Sequence, residues 1–419
     1  MKDTFSSWLC CQIGAREHYS IPRALHGQDR LEYLITDAWI ADNSLLNLLP
    51  QSFLTNLRER YHPELETAKV KSFTVNAIIW ELQQKYQQIE GWDKIIARNI
   101  WWQERVLQII KKIDCSNKNI TLFAYSYAAL KLFQYAKKRG WRTVLGQIDP
   151  GIVEEKLIFR ESQKHPQYRS SLSIAPLQYW QDWRQECSLA DRIIVNSNWS
   201  KDALQKTGIS NRKINVVPLA YQAPLEADNF QRTYPKQFSD QRPLKVLFLG
   251  QVILRKGVAA ILEAIALLDN KPIEFWFVGR VEIDLPRSFK KHPQIKWIGS
   301  VSRSNTNYYY QQADVFLFPT LSDGFGLTQL EAQAWKLPLI TSEFCGAVVK
   351  DRINGLILPN VTGNAIASAL NFCLHNPQEL ANFSQQSHQI LADFNLSQLG
   401  RELLNLDTTN SIVHKPVFY

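Results

Sequence analysis

Short apolar runs alternate with longer stretches of helical spacing along the second half of the chain. The apolar runs, each closed by Gly, Pro or a polar residue, lie at 244–250, 273–279, 295–299, 315–319 and 339–341. The stretch 258–268, after the first of these runs, repeats its apolar residues at helical spacing. Strands that alternate with helices are typical of a parallel sheet with helices on both faces. The pattern therefore predicts an α/β domain in this half.

The first half shows the same alternation less regularly. Its predicted strands lie at 8–11, 32–36, 122–124, 143–147, 192–196 and 214–217. Residues 45–112 read as one long helical stretch, which is more than a single crossover helix requires, so we predict an insertion with its own packing role or task. Residues 222–243, with three prolines and many polar residues, are the predicted linker. The sequence thus predicts two α/β domains, 1–221 and 222–394.

Composition narrows the class of protein. A chain of 419 residues is too long for one compact core, and 45% hydrophobic with 21% charged residues excludes the disordered and fibrous classes. Apolar runs stay well short of the roughly 18–20 residues that span a bilayer, and the apolar start is too interrupted for a secretory signal. The six cysteines form no CxxC pair, so neither a zinc site nor a disulfide framework is predicted. These features favour a protein of the reducing cytoplasm.

Positive charge is unevenly distributed along the chain. The formal net charge is +9, and residues 1–213 hold 30 lysines and arginines against 22 aspartates and glutamates, whereas the remaining residues hold 18 against 17. A basic half suggests an anionic partner. The charge alone leaves that partner open between a membrane surface, a nucleic acid and a phosphorylated substrate.

A basic turn follows the first strand of the second domain. Gly250 and Gln251 begin the turn, Gly257 ends it, and Arg255 and Lys256 stand just before its end. Backbone N–H groups at a helix start and two fixed cations favour a diphosphate, which they can neutralise without a metal. A solvated basic turn is the alternative interpretation of these residues.

Two carboxylates eight positions apart mark a second motif. Asp323 precedes a Gly-Phe-Gly turn, and Glu331 follows it. The turn is predicted to open a helix, which would place Glu331 about one turn inside that helix. Carboxylates at such a cleft suit the paired hydroxyls of a sugar or a ribose. In the alternative, Asp323 is a simple N-cap and Glu331 is a surface residue.

These motifs and their order resemble those of the retaining GT-B-fold glycosyltransferases of glycosyltransferase family 4, the group 1 type. The matching segments are 190–197, 213–219, 246–268, 318–331 and 354–359. The resemblance is continuous from about residue 190 to 390 and thin before that. It implies two Rossmann-like domains that face each other across a cleft, with a final helical segment, 395–419, packed back on the first domain.

The resemblance also implies an activity. It is the transfer of a sugar, with retention, from a nucleoside-diphosphate sugar to a hydroxyl of a glycan, lipid or small-molecule acceptor. By the resemblance, Arg255 and Lys256 hold the donor diphosphate, Glu331 accepts the ribose hydroxyls and Asp323 contacts the transferred sugar. Other donor-site residues implied in the same way are Gly250, Gln251, Gly257, Gly279, Arg280, Gly299, Val301, Gly324, Phe325, Gly326, Leu327 and Thr328.

Metal and other cofactors are not expected. The chain contains no Asp-x-Asp. That absence fits metal-independent transfer, in which side chains and helix N-termini carry the charge of the leaving group.

Two positions depart from the family pattern. Family members usually carry glutamate at both acidic positions and an arginine directly after the glycine that ends the first strand of the second domain. Here these positions hold Asp323 and Gln251. The aspartate keeps the charge on a shorter stem, and Arg255 is a candidate to replace the missing arginine. One alternative function is a nucleotide-sugar hydrolase or epimerase of the same fold. The departures at Gln251 and Asp323, with a histidine missing near Ser126, motivate another, a nucleotide-sugar-binding protein without turnover.

The acceptor side is less clearly marked. Gly14, Arg16 and His18 follow the first strand and resemble the family's glycine-rich loop, which meets donor phosphate and acceptor. His18 is a candidate proton shuttle or, alternatively, a cap or surface residue. Ser126 and Tyr127 lie where many relatives place a histidine near the reacting sugar, and that histidine is missing here.

One helical segment of the first domain mixes aromatic, apolar and cationic residues. Residues 97–112 have the apolar stripe of an amphipathic helix, and packing of this stripe on the sheet is the favoured interpretation. Docking on the inner face of the cytoplasmic membrane is the alternative. A nucleic-acid partner is not expected, because it leaves the motifs of the second domain unexplained.

Overall fold

A computed structural model of the chain describes residues 6–41, 60–115, 118–168 and 174–408. Within these residues, the N-terminal sheet has seven parallel strands in the order β3-β2-β1-β4-β5-β6-β7. The strands are β1 Ser7–Gln12, β2 Leu31–Thr36, β3 Val70–Ser72, β4 Ile120–Tyr125, β5 Arg142–Gln147, β6 Arg192–Val195 and β7 Ile214–Val216. The helices beside this sheet are Ser20–His26, Thr74–Tyr86, Gly91–Ile110, Leu130–Lys138, Ile152–Lys164, Leu177–Leu189 and Asn198–Lys206.

The C-terminal sheet has six parallel strands in its described residues, in the order β10-β9-β8-β11-β12-β13. They are β8 Leu244–Leu249, β9 Ile273–Val278, β10 Ile295–Gly299, β11 Val315–Phe318, β12 Leu339–Thr341 and β13 Gly355–Ile357. The helices that follow residue 222 are Leu225–Asp228, Val258–Leu267, Arg287–Lys290, Arg303–Gln312, Thr328–Ala334, Gly363–His375, Pro377–Leu391 and Leu396–Thr408. None of the helices in the described residues is both long and apolar enough to cross a membrane.

The two sheets confirm the predicted pair of Rossmann-like α/β domains. Their central strands are buried on both faces, as in β4, where each of the six residues is buried. Helices on both sides remove these apolar side chains from water, which is why the strands read as continuous apolar runs rather than as alternating ones.

The prediction of one helical stretch over residues 45–112 is wrong in one part. Residues 70–72 form β3, an edge strand paired with β2, and only after it do the helices Thr74–Tyr86 and Gly91–Ile110 follow. The strand has three residues, two of them exposed, so it lacks the apolar run by which a strand is recognised. The part of the predicted insertion from 45 to 59 lies outside the described residues.

The last described helix, Leu396–Thr408, packs on the N-terminal domain. Leu399 and Leu403 are buried in the same apolar cluster as Leu25 of the helix Ser20–His26. Gly400 allows the close approach, because a Cβ there would lie 3.2 Å from the carbonyl oxygen of Ala24. Residues 409–419 of the predicted segment lie outside the described residues.

The carboxyl ends of the strands in the two domains face each other. The turn after β11 meets the loop after β5, where a Cβ on Gly324 would lie 2.2 Å from the carbonyl oxygen of Ile148. Only a glycine allows this backbone contact. The contact places the Gly-Phe-Gly turn at the boundary between the domains, and the cleft opens on either side of it.

Candidate active site

The basic turn is a buried ion-pair cluster rather than a solvated loop. Leu254–Lys256 form a single 3₁₀ turn between β8 and the helix Val258–Leu267. The Lys256 side chain is 13% exposed, its ammonium contacts Oδ2 of Asp323, and it lies 4.6 Å from the centre of the Phe318 ring. Arg255 Nη1 donates to the carbonyl oxygen of Ser322 at 2.7 Å and lies 3.3 Å from Oδ2 of Asp323.

A glycine directly after this cluster allows the turn to pack against the sheet. Gly257 has a φ of +74°, and a Cβ at this position would lie 2.0 Å from the carbonyl oxygen of Pro319. The backbone can therefore bring Lys256 to the end of β11 only because residue 257 has no side chain. The turn for which the sequence suggested phosphate binding therefore also packs the segment after β8 against the end of β11.

Asp323 organises the turn that begins the helix Thr328–Ala334. Its Oδ1 accepts from the backbone N–H of Phe325 at 3.2 Å. Burial by itself would raise the pKa of Asp323, but Lys256 and Arg255 outweigh it and lower that pKa. The carboxylate is therefore ionised at neutral pH and faces the cleft beside two cations.

Glu331 lies one turn inside the same helix, as predicted. The hydroxyl of Tyr310 donates to Oε2 of Glu331 at 2.8 Å, and Arg303 Nη2 lies 3.9 Å from Oε1. The side chain is 17% exposed, and its burial raises the pKa of the carboxyl group. Two oxygens remain able to accept hydrogen bonds from a pair of hydroxyls, which is the capacity that ribose recognition requires.

The two motifs open into neighbouring cavities between the domains. One cavity of about 490 Å³ is lined by Lys256 and Asp323, together with Arg16, Phe325, Gly326, Leu327, Thr328 and residues of the N-terminal domain. The other, of about 720 Å³, is lined by Glu331, Arg303, His18 and further residues of both domains. Glu17 lines both cavities. The two cavities are thus neighbours, with Glu331 in one and Lys256 and Asp323 in the other.

The loop after β1 forms the opposite wall of this cleft. The Gly14 N–H donates to Oδ1 of Asp37 at 2.8 Å, which fixes the start of the loop. Glu17, His18 and Tyr19 then follow with φ values of 53°, 53° and 57°. Three successive side-chain-bearing residues in the left-handed region are strained, and such strain concentrates at functional sites.

His18 reaches across the cleft to the C-terminal domain. Its Nε2 contacts the guanidinium of Arg303. Burial, reinforced by the charge of Arg303, lowers the pKa of His18 to about 4. The imidazole is therefore neutral at pH 7, so it can accept a proton or a hydrogen bond but holds no proton to donate as an imidazolium.

Several predicted residues line neither of the two cavities. Gln251 is exposed and donates to Oε1 of Glu282 at 3.3 Å, and Arg280 is 77% exposed. Gly250, Gly279 and Gly299 join the ends of β8, β9 and β10 through backbone hydrogen bonds, and Val301 packs on the core below them.

Ser126 and Tyr127 lie behind the cleft wall. Ser126 is buried, and the hydroxyl of Tyr127 donates to Oδ1 of Asp149 at 2.6 Å. The Tyr127 ring is stacked on Tyr179, with 4.7 Å between the ring centres. Tyr127 thus supports the loop that contacts Gly324 and does not itself reach the cavities.

Sequence reasoning missed the carboxylates that the N-terminal domain brings to the cleft. Glu154 accepts from Ser322 Oγ at 2.7 Å and lies 3.7 Å from Nε of Arg255, so it joins the basic cluster from the other domain. Burial raises the pKa of Glu154 to about 7. Glu17 accepts from the Tyr125 hydroxyl at 3.0 Å. Glu154 stands in no motif, and Glu17 lies within the predicted glycine-rich loop between Arg16 and His18 without having been singled out. Both become part of the site because segments far apart in the chain meet there.

In the described residues, no three His, Cys, Asp or Glu side chains are grouped so that they could hold one metal ion. The cysteines at 10, 11, 115, 187, 345 and 373 are all free and buried.

Comparison with known proteins places the second domain in a family. Residues 229–389 match the model of the glycosyl transferases group 1 family. The C-terminal domain belongs to this family. This domain holds Arg255, Lys256, Asp323 and Glu331, so the four side chains of the basic cluster and the carboxylate pair all lie within the matched region.

Curated relatives of the chain include glycosyltransferases at low identity. A D-inositol 3-phosphate glycosyltransferase of Kineococcus radiotolerans is 27% identical over 228 residues, which cover 46% of this chain and 51% of that protein. The capsular polysaccharide biosynthesis glycosyltransferase CapM of Staphylococcus aureus is 25% identical over 194 residues, covering 42% and 48%. The chain thus spans about half the length of the curated relatives it matches.

Solved structures extend the likeness in fold to both domains. The Anabaena protein HepE, solved in complex with UDP, matches with a TM-score of 0.60 at 14% identity and covers 96% of this chain and 100% of its own. Sucrose-phosphate synthase from Thermosynechococcus elongatus matches with a TM-score of 0.65 at 15% identity, covering 96% and 98%. The chain has the GT-B fold.

Proposed function

We propose that this chain is a retaining glycosyltransferase of family 4, which transfers a sugar from a nucleoside-diphosphate sugar to a hydroxyl of an acceptor bound by the N-terminal domain. The observation that carries the proposal is that Lys256 and Asp323 line one cavity, with Arg255 paired to Asp323, while Glu331 lines the next cavity. In this assignment the diphosphate lies against the two cations, the ribose lies against Glu331, and the sugar lies against Asp323.

The electrostatics support a leaving diphosphate. Departure of the nucleoside diphosphate places negative charge on its terminal phosphate, and a preorganised ammonium and guanidinium stabilise that charge without moving water. The N-terminus of the helix Thr328–Ala334 adds backbone N–H groups on the same side of the cavity. These groups supply the stabilisation that a divalent cation gives elsewhere, so we propose transfer without a metal.

Retention follows from the same arrangement in the proposed mechanism. The departing phosphate and the acceptor hydroxyl lie on one face of the sugar, and the phosphate oxygen accepts the proton of that hydroxyl as the new bond forms. Glu17 lies between the two cavities and is placed to orient the acceptor. The glycosyltransferase relatives and the UDP bound by HepE support a nucleotide-sugar donor for this chain.

A thermal-shift screen across nucleoside diphosphates and nucleotide sugars tests the donor half of the proposal, because a ligand that binds the folded state raises its melting temperature. The best donor is then supplied with a panel of sugar acceptors, and the anomeric configuration of the product is read by NMR. A glycoside with the anomeric configuration of the donor is the expected product. Release of free sugar alone would instead identify a hydrolase, and donor binding without any turnover would identify a binding protein.

Substitution of the two carboxylates tests the separate roles proposed for them. Glu331→Gln is expected to weaken the bare nucleoside diphosphate and the intact donor alike, by about 1.5–3 kcal/mol, because the charged acceptor of two hydroxyl hydrogen bonds is lost. Asp323→Asn is expected to lower turnover and to spare the affinity for the bare nucleotide. Calorimetry of both variants with both ligands decides between this assignment and one in which Asp323 only holds the turn.

A further inference from the structure

Two arginines of the N-terminal domain, Arg16 and Arg98, have no carboxylate partner within ion-pair distance among the described residues. Arg16 lines the 490 Å³ cavity, and its guanidinium carbon lies 5.2 Å from the centre of the Tyr125 ring. Arg98 projects from the helix Gly91–Ile110, and the two cations lie close enough to repel each other. The Nε atom of Arg98 is buried without a hydrogen-bond partner.

The carboxylates nearest to Arg98 are already paired with other cations. Asp37 holds Nη1 of Arg60 at 2.9 Å and 3.0 Å and also accepts from the Gly14 N–H. Glu81 holds the ammonium of Lys94 at 2.8 Å. Arg98 is thus a partly buried cation whose neighbouring carboxylates are engaged by other cations, and its unpaired buried donor can bind a ligand or ion.

An aromatic surface lies beside Arg98. The ring of Tyr179 contacts Trp92 edge to face at 4.8 Å and stacks on Tyr127 at 4.7 Å. The charge of Arg98 acts on the phenol of Tyr179, which shows that the guanidinium and this ring are neighbours. Half-buried aromatic faces pack against the apolar faces of sugar rings, so a cation beside them suits a sugar that carries a negative group.

We propose that the helix Gly91–Ile110 forms the acceptor wall of the cleft, and that Arg98 together with Arg16 binds a carboxylate or phosphate carried by the acceptor sugar. The inference rests on the proposed transferase function and assigns the class of its acceptor. It also gives the helical insertion a task, because Arg98 and Trp92 both come from this insertion. The basic balance of the first half of the chain, 30 cationic against 22 anionic residues up to 213, agrees with an anionic acceptor.

The test compares three acceptors on one sugar scaffold, namely methyl glucoside, methyl glucuronide and glucose 6-phosphate. Their binding is measured by NMR titration of the protein saturated with the nucleoside diphosphate found in the screen, and transfer is measured separately. The carboxylate or the phosphate sugar is expected to bind at least about 10-fold more tightly than the neutral one. Which of the two binds better distinguishes a uronic acid from a sugar phosphate as the source of the charge.

Variants of one helix assign the preference to Arg98. Arg98→Met is expected to lower affinity for the charged sugar about 10- to 100-fold and to leave the neutral sugar and the nucleotide unchanged. Arg98→Lys, which keeps the charge, is expected to retain part of the preference. Lys112→Met removes an exposed charge just beyond the end of the same helix and serves as the matched control, with no expected effect.

The melting temperature separates binding from folding. Because Arg98 makes no ion pair with a described residue, Arg98→Met is expected to keep the melting temperature of the parent protein. Equal binding of all three sugars, a preference that survives Arg98→Met, or a lost preference together with a lowered melting temperature would each overturn the inference. Transfer to the neutral acceptor would still stand in those cases, whereas failure of the proposed function shows as binding of charged sugars without transfer to any of them.

Discussion

Three charged side chains in contact set the electrostatics of the candidate site. Arg255 and Lys256 both face Oδ2 of Asp323, so these three side chains hold two positive charges and one negative charge. A donor diphosphate adds negative charge to this cluster, and we expect the ammonium of Lys256 to turn from Asp323 toward the phosphate. The carboxylate is then free to accept hydrogen bonds from the sugar.

Replacement of Lys256 by methionine should separate catalysis from folding. Loss of the ammonium removes about 2–4 kcal/mol of transition-state stabilisation, which is roughly a 30- to 1000-fold fall in transfer rate. The free energy of unfolding should fall by roughly 3 kcal/mol at most, because Arg255 still faces the buried Asp323. Steady-state kinetics and urea unfolding measure the two effects. Lys296→Met, at an exposed pair with Glu274, is the control, and near-normal turnover of Lys256→Met would remove the lysine from the mechanism.

At the scale of the elements, the last described helix joins the chain back to its first domain. Leu403 of the helix Leu396–Thr408 is fully buried against residues of the N-terminal domain. This apolar contact is a second connection between the domains, besides the chain segment that joins them near Gln222. The helix therefore stabilises the arrangement of the two domains.

Truncation of Leu403 should weaken this link. Leu403→Ala leaves a cavity in a packed cluster and is expected to lower the free energy of unfolding by about 2–5 kcal/mol. Leu267→Ala, at a leucine that is 57% exposed, should cost far less. Urea unfolding followed by tryptophan fluorescence measures both variants. Similar losses in the two variants would contradict the docking of the helix.

For the whole molecule, contact between the domains depends on groups that titrate. Glu154 of the N-terminal domain meets Ser322 and Arg255 of the C-terminal domain, and its side chain is only 16% exposed. Because burial raises its folded pKa to about 7 from 4.5, the folded protein holds this proton over a range in which the unfolded chain releases it.

Stability should consequently fall as the pH rises through this range. The contribution of Glu154 is fully present below pH 4.5 and is lost between about pH 4.5 and 7, a change of about 3 kcal/mol for a shift of this size. Glu154→Gln lacks the ionisable proton, so its stability should exceed that of the parent protein increasingly as the pH rises. This difference in stability is measured by urea unfolding of the parent protein, of Glu154→Gln and of the exposed control Glu343→Gln at pH 5 and pH 8. Parallel pH slopes for parent and Glu154→Gln would contradict the assignment.

The response to chelators is a second property of the whole protein. If Arg255, Lys256 and the helix start carry the charge of the leaving diphosphate, excess chelator should leave the transfer rate within about 2-fold of its value, a change of less than 1 kcal/mol in the barrier. Transfer assays with and without chelator, followed by added magnesium or manganese, test this expectation. Rescue of a lost activity by either metal would reassign the stabilisation of the leaving group.

Sequence determined the features of this protein that depend on neighbours along the chain. The apolar runs fixed most strands, and the eight-residue spacing placed Glu331 one turn inside the helix that follows Asp323, because strand and helix periods are local properties. The short edge strand β3 was not predicted from the sequence, since its three residues are held by pairing with β2 and show no strand pattern of their own. The pairing of Lys256 with Asp323, the entry of Glu154 and the unpaired Arg98 were decided by tertiary structure alone. These groups are tens to more than a hundred positions from the residues they meet, and only the packing of two sheets and their helices brings them to one cleft.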